Sequence, residues 1–248
     1  MSVMVRSVLG IDVGGSSIKG GLVDIDAGLL QGELVSVATP RPAAPEPVMQ
    51  AVANLAATMA LTQAAGVAFP SVVQGGRART AAHIDPSWID VDGAALATRK
   101  LGRRAVFLND ADAAGLAEMR WGAGRGLNGV VIMLTFGTGI GTALFADGKL
   151  FPNTELGHLE LNGMDAEEWA SARIRTQLGL GWPAWIERVN AYLKRMQVLF
   201  WPDVFILGGA VSERFEEFAP HLHAAAQIRP AHFAGQAGVI GAALAAAS

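Results

Sequence analysis

The sequence contains no cysteine. Disulfide bonds, thiol catalysis and cysteine-ligated metal sites are therefore excluded for this chain. It also has a single tyrosine, and charged residues make up only 17% of its 248 residues. Apolar residues make up 51%, so we expect a folded protein with a large core rather than a disordered chain.

Targeting and membrane-spanning signals are also missing. Residues 1–6 lead straight into an apolar run, without the charged region, apolar region and cleavage site of a signal peptide. No apolar run approaches the roughly 20 residues of a membrane span. The formal net charge of −3 argues against nucleic acid or an anionic membrane as the main partner. A soluble cytoplasmic protein is the expectation.

The stretch 8–24 predicts a β-hairpin. Two apolar runs, 8–13 and 18–23, are joined by the short loop Gly14–Ser17. Its two adjacent glycines permit positive φ and leave no Cβ near a ligand. Successive amide groups in such a turn can form an anion-binding concavity. An ordinary hairpin turn is the alternative interpretation of this loop.

The rest of the chain predicts alternating strands and helices in two halves of coarsely similar order. Further strands are predicted at 32–39, 66–73 with a break at Pro70, 105–108, 130–134, 143–145 and 203–207. Helices are predicted at 46–59, 94–99, 111–120, 165–178, 183–200 and 235–247. We therefore expect two α/β domains, 1–110 and 111–248, with a cleft between them and the last helix packing back on the first domain.

Three glycine-rich corners follow apolar strands, at Gly14–Gly15, Gly137–Gly141 and Gly208–Gly209. None fits the P-loop pattern, and the first two enter return strands rather than the helix of a dinucleotide fingerprint. Together with Asp12 and Asp110 at strand ends, the corners suit a phosphate chain held between two lobes.

Five motifs then occur in a fixed order: DVGGSSIK at 12–19, LNDADAAG at 108–115, TFGTGIG at 135–141, ELGH at 155–158 and LGGAV at 207–211. Over nearly the whole chain they resemble the ROK family of sugar kinases, within the actin/hexokinase/Hsp70 superfamily. Segments 84–88 and 153–160 are similar to its polyphosphate glucokinase branch. The resemblance implies two ribonuclease H-like (actin-like ATPase) domains with an interdomain cleft.

The resemblance implies that Asp110 is the general base that takes the proton of the acceptor hydroxyl. A helix N-cap is the alternative for this residue. The implied sugar ligands are Asn109, Asp110, Glu155, His158, Glu167, Pro70 and Ser71, with Glu168 as an alternative to Glu167 and His83 as a further neighbour. Such side chains suit a polyol because they offer donors and acceptors. Structural roles remain the alternatives for His158 and Glu167.

The phosphate donor has its own implied ligands: Asp12, Gly14, Gly15, Ser16, Ser17, Lys19, Thr135, Gly137, Thr138, Gly139, Gly208 and Gly209. Asp12 would orient a water bound to Mg²⁺, whose other ligands include the substrate's own oxygens. Lys19 would neutralise phosphate charge, or is simply a solvated lysine. Most family members have a cysteine-rich zinc loop that is completed by the histidine corresponding to His158. Because this chain has no cysteine, no structural zinc is expected here.

The implied reaction is phosphoryl transfer to the 6-hydroxyl of glucose from inorganic polyphosphate, with ATP as a further donor. A close rival is an ATP-dependent glucokinase or glucomannokinase, because 207–212 resembles the family's adenosine motif. A polyphosphate donor needs a basic track, for which the candidates are Arg77, Arg79, Lys149, Arg173, Arg175, Lys194 and Arg195.

A non-catalytic sugar sensor is the rival from another class, since some family members are transcriptional repressors. Those carry a DNA-binding domain ahead of the first phosphate motif, whereas only eleven residues precede Asp12 here. The resemblance also implies a homodimer through the helical part after residue 165.

Overall fold

A computed structural model describes residues 6–60 and 62–247. Residues 1–5, part of the stretch assessed above for a signal peptide, lie outside the described residues. The chain divides into two compact units. The first comprises the residues up to Ala117 together with those from Gln236 onward, and the second is Glu118–Gly235. Among the described residues, no helix is long and apolar enough to cross a membrane.

Fifteen strands and eight α-helices make up the described chain. The strands are β1 (Ser7–Val13), β2 (Ser17–Asp24), β3 (Leu29–Leu30), β4 (Val35–Ala38), β5 (Ala64–Phe69), β6 (Val73–Gln74), β7 (Arg77–Ala78), β8 (Arg104–Asn109), β9 (Val130–Phe136), β10 (Ile140–Ala146), β11 (Lys149–Phe151), β12 (Glu160–Leu161), β13 (Met164–Asp165), β14 (Val204–Gly208) and β15 (Gln227–Pro230). The helices are α1 (Pro45–Ala57), α2 (Gly93–Leu101), α3 (Asp110–Trp121), α4 (Ala166–Ala170), α5 (Ala172–Gln177), α6 (Trp182–Phe200), α7 (Phe215–Phe218) and α8 (Ala237–Ala247).

The first unit is built on a sheet of order β3–β2–β1–β5–β8, with β4 paired to β2. β1 and β2 form the predicted antiparallel hairpin, and β5 and β8 run parallel to β1. Both β1 and β5 are apolar almost throughout because they are buried. The main core of this unit lies where the sheet meets α1 and α2, around the aromatic cluster of Phe69, Trp88 and Phe107.

Helix α8 lies directly on two glycines that face each other in the sheet. Gly10 of β1 and Gly66 of β5 are register partners. A Cβ at Gly10 would lie 1.9 Å from the Val239 carbonyl oxygen, and one at Gly66 would lie 1.8 Å from that of Ala242. No side chain larger than hydrogen fits at either position, so the alanine-rich helix rests with its backbone against the strands.

The second unit repeats this plan with a sheet of order β11–β10–β9–β14–β15. β9 and β10 form an antiparallel hairpin, and β14 and β15 run parallel to β9. A second core packs this sheet against α6, with Trp185, Tyr192 and Phe205 fully buried. The similarity of the two halves that the sequence indicates is therefore present in their strand order.

Most predicted elements lie close to the observed bounds, but one helix prediction is wrong. The stretch 165–178 forms two short helices, α4 and α5, because Ser171 between them is extended (φ −65°, ψ 162°) and its hydroxyl accepts a hydrogen bond from the Ile174 N–H. Serine is a favoured N-cap and starts a new helix here. Helix α7 and the strands β3, β7, β11, β12, β13 and β15 were not predicted.

Candidate functional site

The carboxyl edge of the first unit's sheet carries the predicted site residues of that unit. β1, β5 and β8 are parallel, so the loops after their last residues emerge at one edge. Asp12 is the penultimate residue of β1, Pro70 and Ser71 follow β5, and Asn109 ends β8. The sheet therefore brings together residues from three separated parts of the sequence.

Asn109 and Asp110 form the junction between β8 and α3. The Asn109 amide oxygen accepts a hydrogen bond from the Asp112 N–H at 2.9 Å, which makes Asn109 the N-cap of the helix. Its side-chain nitrogen donates to the Ser71 carbonyl oxygen at 3.0 Å. Asp110 is partly exposed, and its carboxylate accepts the Ala111 N–H. The capping role considered for Asp110 therefore belongs to Asn109.

Ser71 is buried, and its hydroxyl makes hydrogen bonds within the loop that follows β5. Its Oγ lies 2.8 Å from the Thr80 carbonyl oxygen, and the Thr80 N–H donates back to it at 3.3 Å. Pro70 beside it is partly exposed. Further along, the His83 carbonyl oxygen packs close to Gly15 of the first glycine corner. The loop thus connects the end of β5 with that corner.

Asp12 lies on the face of β1 that α8 covers. It shares that face with Gly10 because strand side chains alternate, and a Cβ at Gly238, in the first turn of α8, would lie 2.8 Å from its carboxylate. Lys19 is its partner across the hairpin. Burial raises the pKa of Asp12 to about 6, although the nearby Lys19 opposes this shift. The carboxylate is therefore largely withdrawn from water on a partly exposed residue, with Lys19 as a cationic neighbour.

The loop Gly14–Ser17 is held by bonds to its own backbone and to the segment after β4. The Gly14 N–H donates to the Ser17 carbonyl oxygen at 2.9 Å. The Thr39 hydroxyl donates to the Gly14 carbonyl oxygen at 2.6 Å, and Arg41 donates to that of Gly15 at 2.9 Å. The first corner is therefore a fixed turn in which the Gly14 amide is already engaged.

Neither Gly14 nor Gly15 has the left-handed conformation that adjacent glycines permit. Glycine is favoured at both positions for a steric reason. A Cβ at Gly14 would lie 3.1 Å from the Ser17 carbonyl oxygen, and one at Gly15 would lie 3.2 Å from that of His83. Both contacts are tighter than most Cβ contacts, so the glycines allow the surrounding backbone to approach.

Within the second unit, two glycine corners meet. β9 and β14 are parallel neighbours in which Thr135 pairs with Gly208, so their ends coincide. After β9 the chain makes a tight turn, in which the Gly137 N–H donates to the Gly139 carbonyl oxygen at 3.0 Å. After β14, Gly209 has φ +83°, and a Cβ there would lie 2.3 Å from the carbonyl oxygen of the residue before Gly137. Glycine is required at position 209.

Arg173 holds the turn after β9 from the side. Its backbone N–H donates to the Gly137 carbonyl oxygen at 3.0 Å, and its Nε donates to that of Thr138 at 2.9 Å. The Glu168 carboxylate accepts a further bond from its guanidinium at 2.7 Å. From the sequence, Arg173 was predicted only as a candidate for a basic track. Its contacts with the turn at Gly137 and Thr138 were not predicted.

Strand β10 and helix α6 position the loop that contains Glu155 and His158. The Leu156 N–H donates to the Thr142 hydroxyl at 3.2 Å, and the Thr154 hydroxyl donates to the Thr142 carbonyl oxygen at 3.1 Å. The Tyr192 hydroxyl donates to the Leu156 carbonyl oxygen at 3.1 Å. Burial raises the pKa of Tyr192 far above its ordinary value, so this hydroxyl stays a donor.

His158 lies among three carboxylates. Its Nδ1 is 2.8 Å from Asp165 Oδ2 and 3.9 Å from Glu167 Oε1, while its Nε2 is 3.9 Å from Glu155 Oε2. The predicted ligands Glu155, His158 and Glu167 are therefore neighbours. The contact between Asp165 and His158 was not predicted. An aspartate just before a helix is typical of an N-cap, and that pattern does not indicate a contact with a histidine.

Glu167 and Glu168, the two alternatives for one sugar ligand, lie in different surroundings. Glu167 is buried beside His158, and its Oε2 accepts a hydrogen bond from the Ile140 N–H at 3.2 Å. Glu168 is exposed and pairs with Arg173. Only Glu167 points into the same group as His158.

Several candidates for a basic track are already engaged. Arg77 and Arg79 pair with Asp92 and Asp90. Arg175 stacks on Trp182, with 3.7 Å between the guanidinium carbon and the ring centroid. Together with Arg173, four of the seven candidates therefore have partners within their own unit.

No group of three or more histidine and carboxylate side chains that could hold a metal ion occurs within residues 6–60 and 62–247. A single carboxylate such as Asp12 does suit Mg²⁺, which takes one or two carboxylates together with substrate oxygens and waters.

Comparison with known proteins gives these residues a context. The model of the ROK family matches residues 8–174. The chain is 44% identical over 241 residues to a polyphosphate glucokinase of Mycobacterium tuberculosis, covering 97% of this chain and 91% of the relative. It is 42% identical to a polyphosphate glucokinase of Mycobacterium leprae, covering 95% and 73%.

Solved structures give the same context. The fold superposes on the inorganic polyphosphate/ATP-glucomannokinase of Arthrobacter sp. strain KM with a TM-score of 0.94 at 46% identity, covering 97% of this chain and 98% of that one. A ROK family glucokinase of Streptomyces griseus, solved with glucose and AMPPNP, has a TM-score of 0.85 at 25% identity, covering 97% and 99%. The predicted fold class, that of the actin-like ATPases, is thereby confirmed.

Proposed function

The chain belongs to the ROK family, and on that premise we propose that it transfers a phosphoryl group from inorganic polyphosphate to the 6-hydroxyl of glucose. The Mycobacterium tuberculosis relative is named as a polyphosphate glucokinase and the Arthrobacter relative as an inorganic polyphosphate/ATP-glucomannokinase, and the matches cover 91% and 98% of them. The structural observation that carries the proposal is the junction at Asn109 and Asp110. Asn109 caps α3, which leaves Asp110 partly exposed at the carboxyl edge of the sheet.

Asp110 is the general base in this proposal. Its carboxylate accepts the proton of the 6-hydroxyl as that oxygen attacks the terminal phosphorus of the donor. The bond from phosphorus to the bridging oxygen of the donor breaks, giving glucose 6-phosphate and a polyphosphate shortened by one unit. The protein's remaining contribution is positioning and charge stabilisation, as is general for phosphoryl transfer.

Glucose would be held by Asn109, Glu155, His158 and Glu167. Support comes from the grouping of Glu155, His158 and Glu167 in one unit and from the fixed loop that carries them. Ser71 contributes by tying its loop to Asn109, because its hydroxyl is engaged by Thr80. Pro70 would border the same sugar.

The donor phosphates would contact the loop Gly14–Ser17, Lys19, the turn Thr135–Gly139 and Gly208–Gly209. Rigid turns that admit close backbone approach support this assignment. Asp12 would hold Mg²⁺ through water, and the ion would neutralise charge on the phosphate oxygens. The predicted cleft between the two units remains a prediction.

ATP is a second candidate donor. The Arthrobacter relative is named for both donors, and the Streptomyces griseus relative was solved with AMPPNP. Initial rates at fixed glucose with polyphosphate and with ATP decide between the donors, and the same assay with mannose tests the acceptor.

A homodimer is part of the proposal. The end of α6 presents Val198 and Leu199, and Trp201 just beyond it is 74% exposed. Apolar side chains grouped in this way favour self-association. Sedimentation velocity is expected to give twice the chain mass, and a Trp201→Glu variant is expected to shift it toward the monomer.

The test of the base is Asp110→Asn. We expect turnover to fall by about 10³-fold or more while glucose still binds, measured by coupled assay and by calorimetric titration of glucose. Asp26→Asn, an exposed acid in the turn after β2, makes the same charge change and should leave turnover intact. Near-normal turnover of Asp110→Asn would refute the assignment.

A further inference from the structure

From the contact between Asp165 and His158 we infer that Asp165 is a positioning residue for sugar binding, which fixes His158 in the tautomer that accepts a hydrogen bond from a sugar hydroxyl. The inference rests on the proposed function. It concerns a residue that does not belong to any of the sequence motifs described above.

The first observation is the hydrogen bond itself. Asp165 Oδ2 lies 2.8 Å from His158 Nδ1. An ionised carboxylate can only accept, so the hydrogen of this bond resides on Nδ1. In the neutral ring the other nitrogen, Nε2, then has no hydrogen and is an acceptor.

The second observation is a capping bond that Asp165 does not make. It occupies the N-cap position of α4, with φ −61° and ψ 139°, yet its side chain makes no capping hydrogen bond. Aspartate normally stabilises a helix end from this position. Its carboxylate is instead turned toward His158, and the β12–β13 hairpin, in which Asp165 pairs with Glu160, delivers it there.

The third observation is what surrounds the other ring nitrogen. Nε2 is 3.9 Å from the Glu155 carboxylate, beyond hydrogen-bond distance. As an acceptor, Nε2 calls for a ligand that brings a donor, and a polyol does so with its hydroxyl groups. With the opposite tautomer, Nε2–H would point toward Glu155, and the acceptor nitrogen would be Nδ1, which faces Asp165.

Glu167 does not replace Asp165 in this role. It is 3.9 Å from Nδ1, and its other carboxylate oxygen accepts from the Ile140 N–H. It is buried, whereas Asp165 is about half exposed. Within this group Asp165 alone makes a short contact with the ring.

The tautomer is measured first. The sequence has five histidines, so long-range ¹H–¹⁵N spectra of the imidazole rings, recorded at pH 8.5, can be assigned with His158→Gln. We expect the Nδ1–H form for His158 in the wild type and the Nε2–H form in Asp165→Ala. An unchanged tautomer in Asp165→Ala would overturn the inference.

Kinetics then test the consequence. In Asp165→Ala the KM for glucose is expected to rise about tenfold, with a smaller change in kcat and none in the KM for the phosphate donor, because a sugar contact made in ground and transition states is lost. Asp165→Asn retains an acceptor oxygen for Nδ1–H and is expected to remain within about threefold of wild type. A glucose KM within twofold of wild type in Asp165→Ala would refute the role.

Glu160→Ala is the matched control. Glu160 is exposed and is the register partner of Asp165 in the same hairpin, so it makes the same charge change in the same element. If both variants raised the glucose KM equally, Asp165 would have no special role. Should the wild-type protein fail to phosphorylate glucose, the proposed function falls, while the spectra still report whether Asp165 sets the tautomer.

Discussion

Replacing Asp12 by asparagine is expected to stabilise the protein at neutral pH while strongly slowing phosphoryl transfer. Asp12 is partly exposed on β1, its carboxylate lies against Gly238 of α8, and burial raises its pKa from 3.8 to about 6. Asparagine has nearly the same shape and no charge to desolvate. The variant therefore separates the energetic cost of the carboxylate from its chemical use.

The magnitude follows from the pKa shift. One pKa unit corresponds to about 1.4 kcal/mol, so keeping Asp12 ionised costs about 3 kcal/mol of unfolding free energy. The folded state holds this proton more tightly than the unfolded state, so the contribution to stability is complete below pH 3.8 and is lost as pH rises through about 6. For a chain of this length the cost corresponds to roughly 6–12 °C in Tm.

The assay is urea unfolding of wild type and Asp12→Asn at pH 5.0 and pH 7.5. We expect the variant to be more stable by about 3 kcal/mol at pH 7.5 and by about half of that at pH 5.0. Asp26→Asn serves as the control, since this exposed residue should have no effect at either pH. Phosphoryl transfer by Asp12→Asn should fall by about 10²-fold or more.

Two results would contradict this reasoning. Equal stability of wild type and Asp12→Asn at both pH values would mean that burial does not disfavour the carboxylate. An equal gain in Asp26→Asn would mean that any lost negative charge stabilises the protein, whatever its location.

The remaining predictions concern packing and buried polar groups. Gly66→Ala should destabilise the protein by about 3 kcal/mol or more, because the added Cβ meets the Ala242 carbonyl oxygen at 1.8 Å; Gly137→Ala, with open space around it and no left-handed backbone, is the comparison in thermal unfolding. Glu118→Ala should cost about 3 kcal/mol in urea unfolding, since its buried carboxylate accepts two backbone N–H bonds, one of them from Phe233. Tyr192→Phe should cost about 1 kcal/mol in the same assay through its lost hydroxyl bond, and no loss would contradict that bond.

The sequence predicted local features well because local causes decide them. The hairpin at Gly14–Ser17, the break at Pro70 and the delivery of Asn109–Asp110 by a strand all depend on residues within a few positions of one another. The five motifs then identified the family, which the comparisons confirmed. One explanation was wrong even here. Gly14 and Gly15 are needed because the surrounding backbone packs closely against them, and neither has a positive φ.

What could not be predicted depends on contacts between distant parts of the chain. The register of Gly10 against Gly66 joins strands more than fifty residues apart, and no local pattern encodes it. Asp165 looks like a helix cap until the position of His158 is known. Arg173 looks like a surface charge until the turn after β9 is placed beside it.

The position of α8 has a consequence for synthesis. The first unit needs the helix 237–247 to cover the face of its sheet that bears Gly10, Gly66 and Asp12. That helix leaves the ribosome only after the whole second unit has been made. A nascent chain that ends before residue 237 therefore exposes an unfinished apolar sheet, and pulse proteolysis of stalled chains should detect protection of the first unit only once α8 has emerged.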